Sequence, residues 1–513
     1  MQSEFFDMIT RHRGLDKVAF QEDGFAITHP ELHRKAVALG SRLAALHGGA
    51  NAPILIVQPK SINAIVSIFA CVEAGLAFIP VDPKFPADRI AYILLASGAR
   101  SVLAGGFSEE ETVFFRGQGT VILSYDWKDP EDGLEVDGDA SKLDGVPPVS
   151  ASRISHIIFT SGTTGNPKGV MIKEESQVAF VREMAAAFRH DTSTRWLSVA
   201  PFYFDVFTLD LFVESYCGST VFLVSPNIMP HQLAQALEQK GITHLVLISS
   251  HVKMLVSRFS GIEKRDLSKL KKLWYGGEAC PVESLRALKR MFPHLEFAQC
   301  YGPSEVCNNA TLHEFAEIPD SAQGYMPLGR TLSTVKGYVV DASGKLLQGL
   351  GTGELYLGGV QVMDGYVNDP ELTRNLLIEN PFEAGDPHKV YKTGDFVRVD
   401  ENGLLSFHGR KDDLVKVRGN RISLHEVQSV MVSIEGVLDA AVFVKKDPQL
   451  LDSMVAIIVS QRDLEVSAIR EQVRAKLPTH SHPDKYVIAE HSKVPLKENG
   501  KVDRPKLIEL YAN

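Results

Sequence analysis

From Pro53 to Cys300, short apolar runs alternate with stretches whose apolar residues recur at helical spacing, and few folds accept that alternation. The strand-like runs are Pro53–Val57, Ser101–Ala104, Thr243–Ser249, Lys272–Tyr275 and Leu295–Cys300, while Leu233–Leu237 and Val282–Met291 carry the helical pattern. Strand followed by helix, repeated, predicts α/β units with parallel-type sheets flanked by helices. The most apolar stretch, Ala64–Val81, is interrupted by Glu73, Gly75 and Pro80, so it reads as a core helix, a turn and a strand and not as a membrane span.

The pattern changes further on. Near Lys336–Asp341 and Glu354–Gly358, short strands and Gly-rich turns suggest a small β-rich subdomain. After Gly409 comes a charged connection of Arg410, Lys411, Asp412, Asp413, Lys416 and Arg418. Beyond it, Val427, Val430, Met431 and Ile434 fall on one helical face, followed by strands at Ala440–Val444 and Met454–Val459 and a helix at Ser467–Leu477. A chain of 513 residues exceeds one core. The expected organisation is a large α/β domain over 1–409, a hinge at 410–412 and a small α+β domain over 413–513.

Residues 157–172 read IIFTSGTTGNPKGVMI. The Ile157–Phe159 run predicts a buried strand of a parallel sheet, and Thr160, Ser161, Gly162, Thr163, Thr164 and Gly165 lead to Lys168. Small residues let backbone N–H groups approach a ligand, hydroxyls add donors, and Lys168 adds a cation, which together suit a polyphosphate. The ordinary P-loop has Ser or Thr directly after its Gly-Lys, whereas Gly169 follows Lys168 here. A net charge of −9 leaves no basic footprint for nucleic acid or an anionic membrane surface. The five cysteines are scattered without a CxxC pair, which argues against disulfide or zinc frameworks and fits a reducing cytoplasm. Cys300 and Cys307 flank the YGPSE segment; spacing suggests no His partner, and small buried side chains are the expected reading. The N-terminal MQSEFFDMITRHRG lacks a signal-peptide pattern.

Eight segments, in order, resemble the adenylate-forming superfamily of acyl-CoA synthetases, luciferases and nonribosomal-peptide adenylation domains. They are AGLAFIPVDP (74–83), TSGTTGNPKG (160–169), FDVFTLDLF (204–212), YGPSE (301–305), GELYLGG (353–359), YKTGD (391–395), GRKDDLVKVRG (409–419) and ENGKVDR (498–504). The resemblance spans nearly the whole chain and implies ATP and Mg²⁺ as partners in the reaction. It places Thr160–Gly165 and Lys168 on the β- and γ-phosphates, the Gly276–Gly277–Glu278 turn and Tyr301 against adenine, and Gly302 in the same turn. It makes Ser304 a phosphate donor and Glu305 the metal ligand, and puts Asp395 on the ribose hydroxyls and Arg410 on ribose or the α-phosphate. Asp412 matches the hinge residue. Lys501 matches the cation that bridges the carboxylate and the α-phosphate, lowering the cost of bringing two anions together.

Asp205 points to the subclass. It follows an aromatic residue and precedes an apolar stretch, so it is expected to be partly buried, where a carboxylate needs a partner. A substrate α-ammonium would serve, and members of the resembled family that activate amino acids carry Asp at this place; an N-cap role for a helix at Thr208–Val213 is the alternative. Matching the family's pocket positions gives Val206, Leu209, Val246, Trp274, Gly276, Cys300, Asn308 and Asn309. Trp274 favours a small or compact side chain. Asn308 and Asn309 could bond a polar substrate side chain or their own loop backbone. The D-alanine–carrier protein ligases that share this pattern usually place Cys where Gly276 stands. The chain ends twelve residues after Lys501, so the expected thiol acceptor is the phosphopantetheine arm of a separate carrier protein, with coenzyme A second. The reading is ATP-dependent amino-acid activation and transfer to that thiol; the alternatives are an acyl- or aryl-CoA synthetase, a D-alanine–carrier protein ligase and, in another class, a non-catalytic nucleotide-binding or scaffold protein.

Overall fold

The computed structural model describes residues 4–48, 51–105, 108–129, 133–160, 167–411, 414–417, 420–445, 453–460, 464–477, 481–490, 493–496 and 503–511. Two large sheets dominate it. In the eight-stranded sheet, Ala77–Val81 and Pro53–Val57 lie at the centre, side by side and parallel. The nine-stranded sheet runs parallel through Thr220–Leu223, Arg195–Ser198, His244–Ile248, Lys272–Gly276 and Glu296–Tyr301. One hydrophobic cluster contains inner-face residues of both sheets, Ile54 and Phe78 of one and Trp196, Trp274 and Ala298 of the other. Outer-face residues form separate cores with helices: Leu245 and Leu273 join Leu233 and Leu285, and Leu55 and Ile79 join Ile93. Burial on both faces is why these strands read as continuous apolar runs.

Local signals fixed several elements. Helix Ile62–Ala74 starts where the Ser61 hydroxyl accepts the Ala64 N–H at 3.3 Å, and it ends at Gly75. Gly75 has φ +69, a left-handed cap that favours glycine, and it turns the chain into the buried strand Ala77–Val81. Helix, turn and strand therefore replace any span, and among the described residues no helix is long and apolar enough to cross a membrane. The strand expected at Ile157–Phe159 is Ile154–Thr160. It pairs parallel with Ala77–Val81 through Phe78 and His156, yet antiparallel with Lys168–Lys173 on its other side. The purely parallel environment is thus corrected: the strands on either side of the phosphate-type segment, 154–160 and 168–173, pair antiparallel, and burial on both faces cannot tell the two pairing directions apart.

A five-stranded antiparallel sheet, built from Lys336–Val340, Gly351–Gly358, Leu377–Ile378, Val390–Val399 and Leu405–Arg410, forms the β-rich portion. The small C-terminal part comprises the hairpin of Leu414–Val417 and Asn420–Ser423, the helix Leu424–Val432, and a three-stranded sheet flanked by Val466–Lys476. Ile434 lies just past that first helix and not in it, though it stays in the same core. His425 packs edge-on against Phe407 at 4.6 Å, and Lys253 of the large part meets Asp439 of the small part at 2.6 Å.

Candidate active site

The site is organised by one turn, residues 301–310. Strand Glu296–Tyr301 ends there, a single 3₁₀ turn carries Ser304–Val306, and the chain returns as Thr311–Phe315. The Ala310 N–H closes the loop on the Tyr301 carbonyl at 2.8 Å. A Cβ on Gly302 would fall 1.9 Å from the Asn308 carbonyl oxygen, so only glycine fits. Cys307 and Asn308 follow with φ of 52 and 75, two successive left-handed residues within the turn.

On one side of the turn, the Tyr301 hydroxyl donates to Asp395 Oδ2 at 2.6 Å, and Arg410 Nη1 meets Asp395 Oδ1 at 3.0 Å. Asp395 and Arg410 are register partners on neighbouring strands, which fixes their approach. Burial first, then the Asp395 charge and hydrogen bond, hold the Tyr301 phenol far above its usual range, so it remains a donor.

Glu305 sits on the next side. The Tyr366 hydroxyl donates to Glu305 Oε1 at 2.6 Å, and the Lys168 ammonium lies 5.7 Å from the centroid of the Tyr366 ring. Tyr391 joins this group, its ionisation suppressed by burial first, then by the Glu305 charge and hydrogen bond, against which the bond with Tyr366 works. Lys168 is the register partner of Thr160 across the hairpin. Ser161, Gly162, Thr163, Thr164 and Gly165 lie outside the described residues, as do Asp412 and Lys501.

Asp205 is half-buried and belongs to the same turn through Ser304, whose hydroxyl donates to Asp205 Oδ2 at 2.5 Å. Ser304, expected on a phosphate, is therefore engaged with the candidate acid-side carboxylate. The Asp205 carbonyl accepts from Thr208 Oγ1 at 2.8 Å and from Asn308 Nδ2 at 3.1 Å, and Asn308 also reaches Thr208 Oγ1 at 3.3 Å. Thr208, not Asp205, occupies the N-cap position of the π-helical turn Leu209–Val213. Of the two uses open to Asn308, the loop-backbone one is present. Asn309 differs: its Nδ2 has the Met184 sulfur at 4.0 Å, and its carbonyl accepts from Gln361 at 2.9 Å.

The remaining pocket positions share the inner face of the nine-stranded sheet. Val246 and Trp274 are register partners, Gly276 lies two residues on, and Cys300 sits on the adjoining strand. Trp274 is fully buried with its ring 4.0 Å from Phe188, and Leu209 is buried beside Val206 on the following turn. A Cβ on Gly276 would come 2.5 Å from the Cys300 carbonyl oxygen, so the backbone there excludes the Cys found in the D-alanine ligases. Gly277 takes φ +75, and the Ser249 hydroxyl holds the Glu278 carbonyl at 2.7 Å. Burial pushes the Cys300 thiol up to about 12 and also raises the Cys307 thiol well above its usual range, so both read as packed thiols, not nucleophiles.

Sequence reasoning missed Tyr366 and the group beneath the pocket. Asp210 is fully buried and accepts from Trp196 Nε1 at 2.7 Å and Ser198 Oγ at 2.5 Å, while Lys60 Nζ donates to the Ser198 carbonyl at 2.8 Å. Burial, partly offset by each other's charge, raises Asp210 to about 6 and lowers Lys60 to about 7. The acid was visible in FDVFTLDLF, but no sequence spacing couples it to Lys60.

Comparison with known proteins follows the same lines. The family described as AMP-binding enzyme matches residues 6–367, and the AMP-binding enzyme C-terminal domain matches 426–501. Surfactin synthase subunit 2 of Bacillus subtilis (strain 168) is 30% identical over 500 residues, covering 96% of this chain and 13% of that protein. Zwittermicin A synthase ZmaJ of Bacillus cereus is 27% identical over 516 residues, covering 99% and 94%. The chain thus spans only 13% of the first of these relatives, and 11% of gramicidin S synthase 2 of Aneurinibacillus migulanus. A four-domain nonribosomal peptide synthetase solved with AMP and glycine superposes with a TM-score of 0.79 at 25% identity, over 98% of this chain and 36% of that one. NpsA of Klebsiella oxytoca, in complex with 3-hydroxyanthranilyl-AMSN, shares the fold with a TM-score of 0.83 at 21% identity, over 100% of both.

Proposed function

This chain belongs to the AMP-binding enzyme family and is an adenylate-forming ligase, and from that premise we propose that the acid it activates is an amino acid. A carboxylate oxygen attacks the α-phosphate of ATP, aminoacyl-AMP forms and pyrophosphate leaves. The acyl group then passes to the phosphopantetheine thiol of a carrier protein, with AMP released. The observation that carries this reading is convergence on the 301–310 turn: Asp205 joins it through Ser304, Asp395 through Tyr301, and Lys168 through Tyr366 and Glu305.

In this reading Asp205 receives the substrate ammonium, and its backbone clamp by Thr208 and Asn308 fixes where the charge sits. Asp395 and Arg410 take the ribose side, and the Gly276–Glu278 turn and Tyr301 flank adenine. Lys168 and the Thr160–Gly165 segment hold the phosphates, Lys501 bridges carboxylate and α-phosphate, and Asp412 is the hinge about which the small domain turns. Glu305 offers a hard carboxylate oxygen, one of its pair held by the Tyr366 hydroxyl. That donor set fits Mg²⁺, which shares its coordination with nucleotide phosphates and water and would neutralise phosphate charge there.

Trp274 packs against Phe188 and is buried, as is Leu209, and in this reading that bulk at the pocket positions favours a small side chain. The Asn309 amide favours a short polar one. The test is amino-acid-dependent pyrophosphate exchange over the common amino acids, with the wild-type chain and Asp205→Ala. Exchange is expected with a small or short polar amino acid and falls about a hundredfold in the variant, the scale of losing one partner of a buried charge pair. Undiminished exchange in Asp205→Ala would overturn the amino-acid reading. Exchange with Trp or Phe alone would overturn the small pocket.

A further inference from the structure

Residues 361–367 form a strap between the two parts of the site that no motif connects. On one side it grips the 301–310 turn. Gln361 Nε2 donates to the carbonyls of Val306 at 3.2 Å and Asn309 at 2.9 Å, and the Met363 N–H donates to the Glu305 carbonyl at 2.9 Å. On the other side it continues the hairpin. The Asp364 N–H donates to the Met171 carbonyl at 2.9 Å, the Val367 N–H to the Gly169 carbonyl at 2.8 Å, and Tyr366 pairs with Val170. The approach is close: a Cβ on Gly169 would lie 2.4 Å from Val367 Cγ1.

Tyr366 is the one side chain of this strap that faces both ways. Its hydroxyl donates to Glu305 Oε1 at 2.6 Å, and its ring face lies 5.7 Å from the Lys168 ammonium. The residue is 3% exposed, and the Tyr366 N–H is anchored by Thr373 Oγ1 at 2.9 Å, so the ring has little freedom.

We propose that Tyr366 is a positioning residue that registers the phosphate-side cation Lys168 against the metal-side carboxylate Glu305. The phenol fixes one carboxylate oxygen and thereby directs the other, and the ring face holds the ammonium by cation–π attraction. This rests on the reading of Glu305 as the Mg²⁺ ligand and Lys168 as a phosphate ligand.

Calorimetric binding of a non-hydrolysable ATP analogue, titrated with Mg²⁺ and without turnover, tests it. Tyr366→Phe keeps the ring and loses the hydroxyl. The Mg²⁺ concentration for half-maximal binding is expected to rise about tenfold, the usual scale for an outer-shell partner, while analogue affinity at saturating Mg²⁺ stays within about twofold. Tyr366→Leu loses both contacts, so affinity at saturating Mg²⁺ also drops, by about threefold or more. Near-ultraviolet circular dichroism checks that each variant is folded. Glu305→Gln separates the two layers of the argument. If it leaves the Mg²⁺ requirement unchanged, the metal reading of Glu305 is wrong and the proposal falls with it. If Glu305→Gln shifts the requirement and Tyr366→Phe does not, the coupling is wrong while the metal reading stands. Equal weakening of every parameter by Phe and Leu would reduce Tyr366 to packing and overturn the proposal.

Discussion

Gly302 shows how little tolerance the turn has. With its missing Cβ standing 1.9 Å from a backbone oxygen, Gly302→Ala cannot be absorbed by a rotamer change and must open the 301–310 loop. Pyrophosphate exchange in that variant is expected to be lost, with a stability cost of about 1–3 kcal/mol in urea unfolding. Wild-type exchange in Gly302→Ala would show that the turn does not position Ser304 and Glu305. The thiols give a second residue-scale check. All five cysteines are buried, so a thiol reagent is expected to modify none in the native protein and all five after denaturation. Rapid native modification would contradict the buried reading. Asp205, Glu305 and Asp395 were legible because each sits in a motif whose neighbours define it. Tyr366 was not, since the residue it serves is 61 positions away and their meeting depends on a strap that only the folded chain creates.

At the level of elements, the strands and helices of the large part follow the sequence pattern to within about three residues; Pro53–Val57 and Val282–Met291 are as read, while Ile157–Phe159 and Glu354–Gly358 each begin three residues earlier. What the pattern could not carry is pairing direction, as the hairpin of Ile154–Thr160 and Lys168–Lys173 shows. His156 in that hairpin lies between the rings of Phe78 at 5.5 Å and Phe207 at 5.4 Å. Its Nδ1 lies 3.2 Å from Ser155 Oγ, and burial depresses it to about 3. Folded below unfolded means that the neutral-His contribution is complete above pH 6.5 and shrinks as pH falls toward the folded value, because the unfolded chain then binds the extra proton. Between pH 7.5 and 5 the urea midpoint is expected to drop, with His156 contributing on the order of 2 kcal/mol. His156→Phe should flatten the dependence; an unchanged slope would show that His156 is not the group responsible.

Across the whole molecule, the change of pattern after Gly409 marked a small C-terminal part, and the helix Leu424–Val432 with its three-stranded sheet stands there with its own core. Contacts between parts had no sequence signal. The Lys253–Asp439 pair, 2.6 Å long and mostly buried, is one such contact. Burial alone would lower the Lys253 ammonium, yet the Asp439 charge and hydrogen bond leave it raised, so the pair is a net attraction in this arrangement. A double-mutant cycle with Lys253→Asp and Asp439→Lys is expected to return a coupling on the order of 1 kcal/mol, the doubly swapped chain recovering stability that each single change loses. No coupling would mean that the pair does not hold the two parts together. The central claim, an adenylate former that selects its acid by the amine, is tested most directly by trapping the acyl-adenylate with hydroxylamine, using matched acids that differ only in the α-amino group. The account predicts hydroxamate from the amino acid and essentially none from its deaminated twin. Equal or greater yield from the deaminated acid would contradict it.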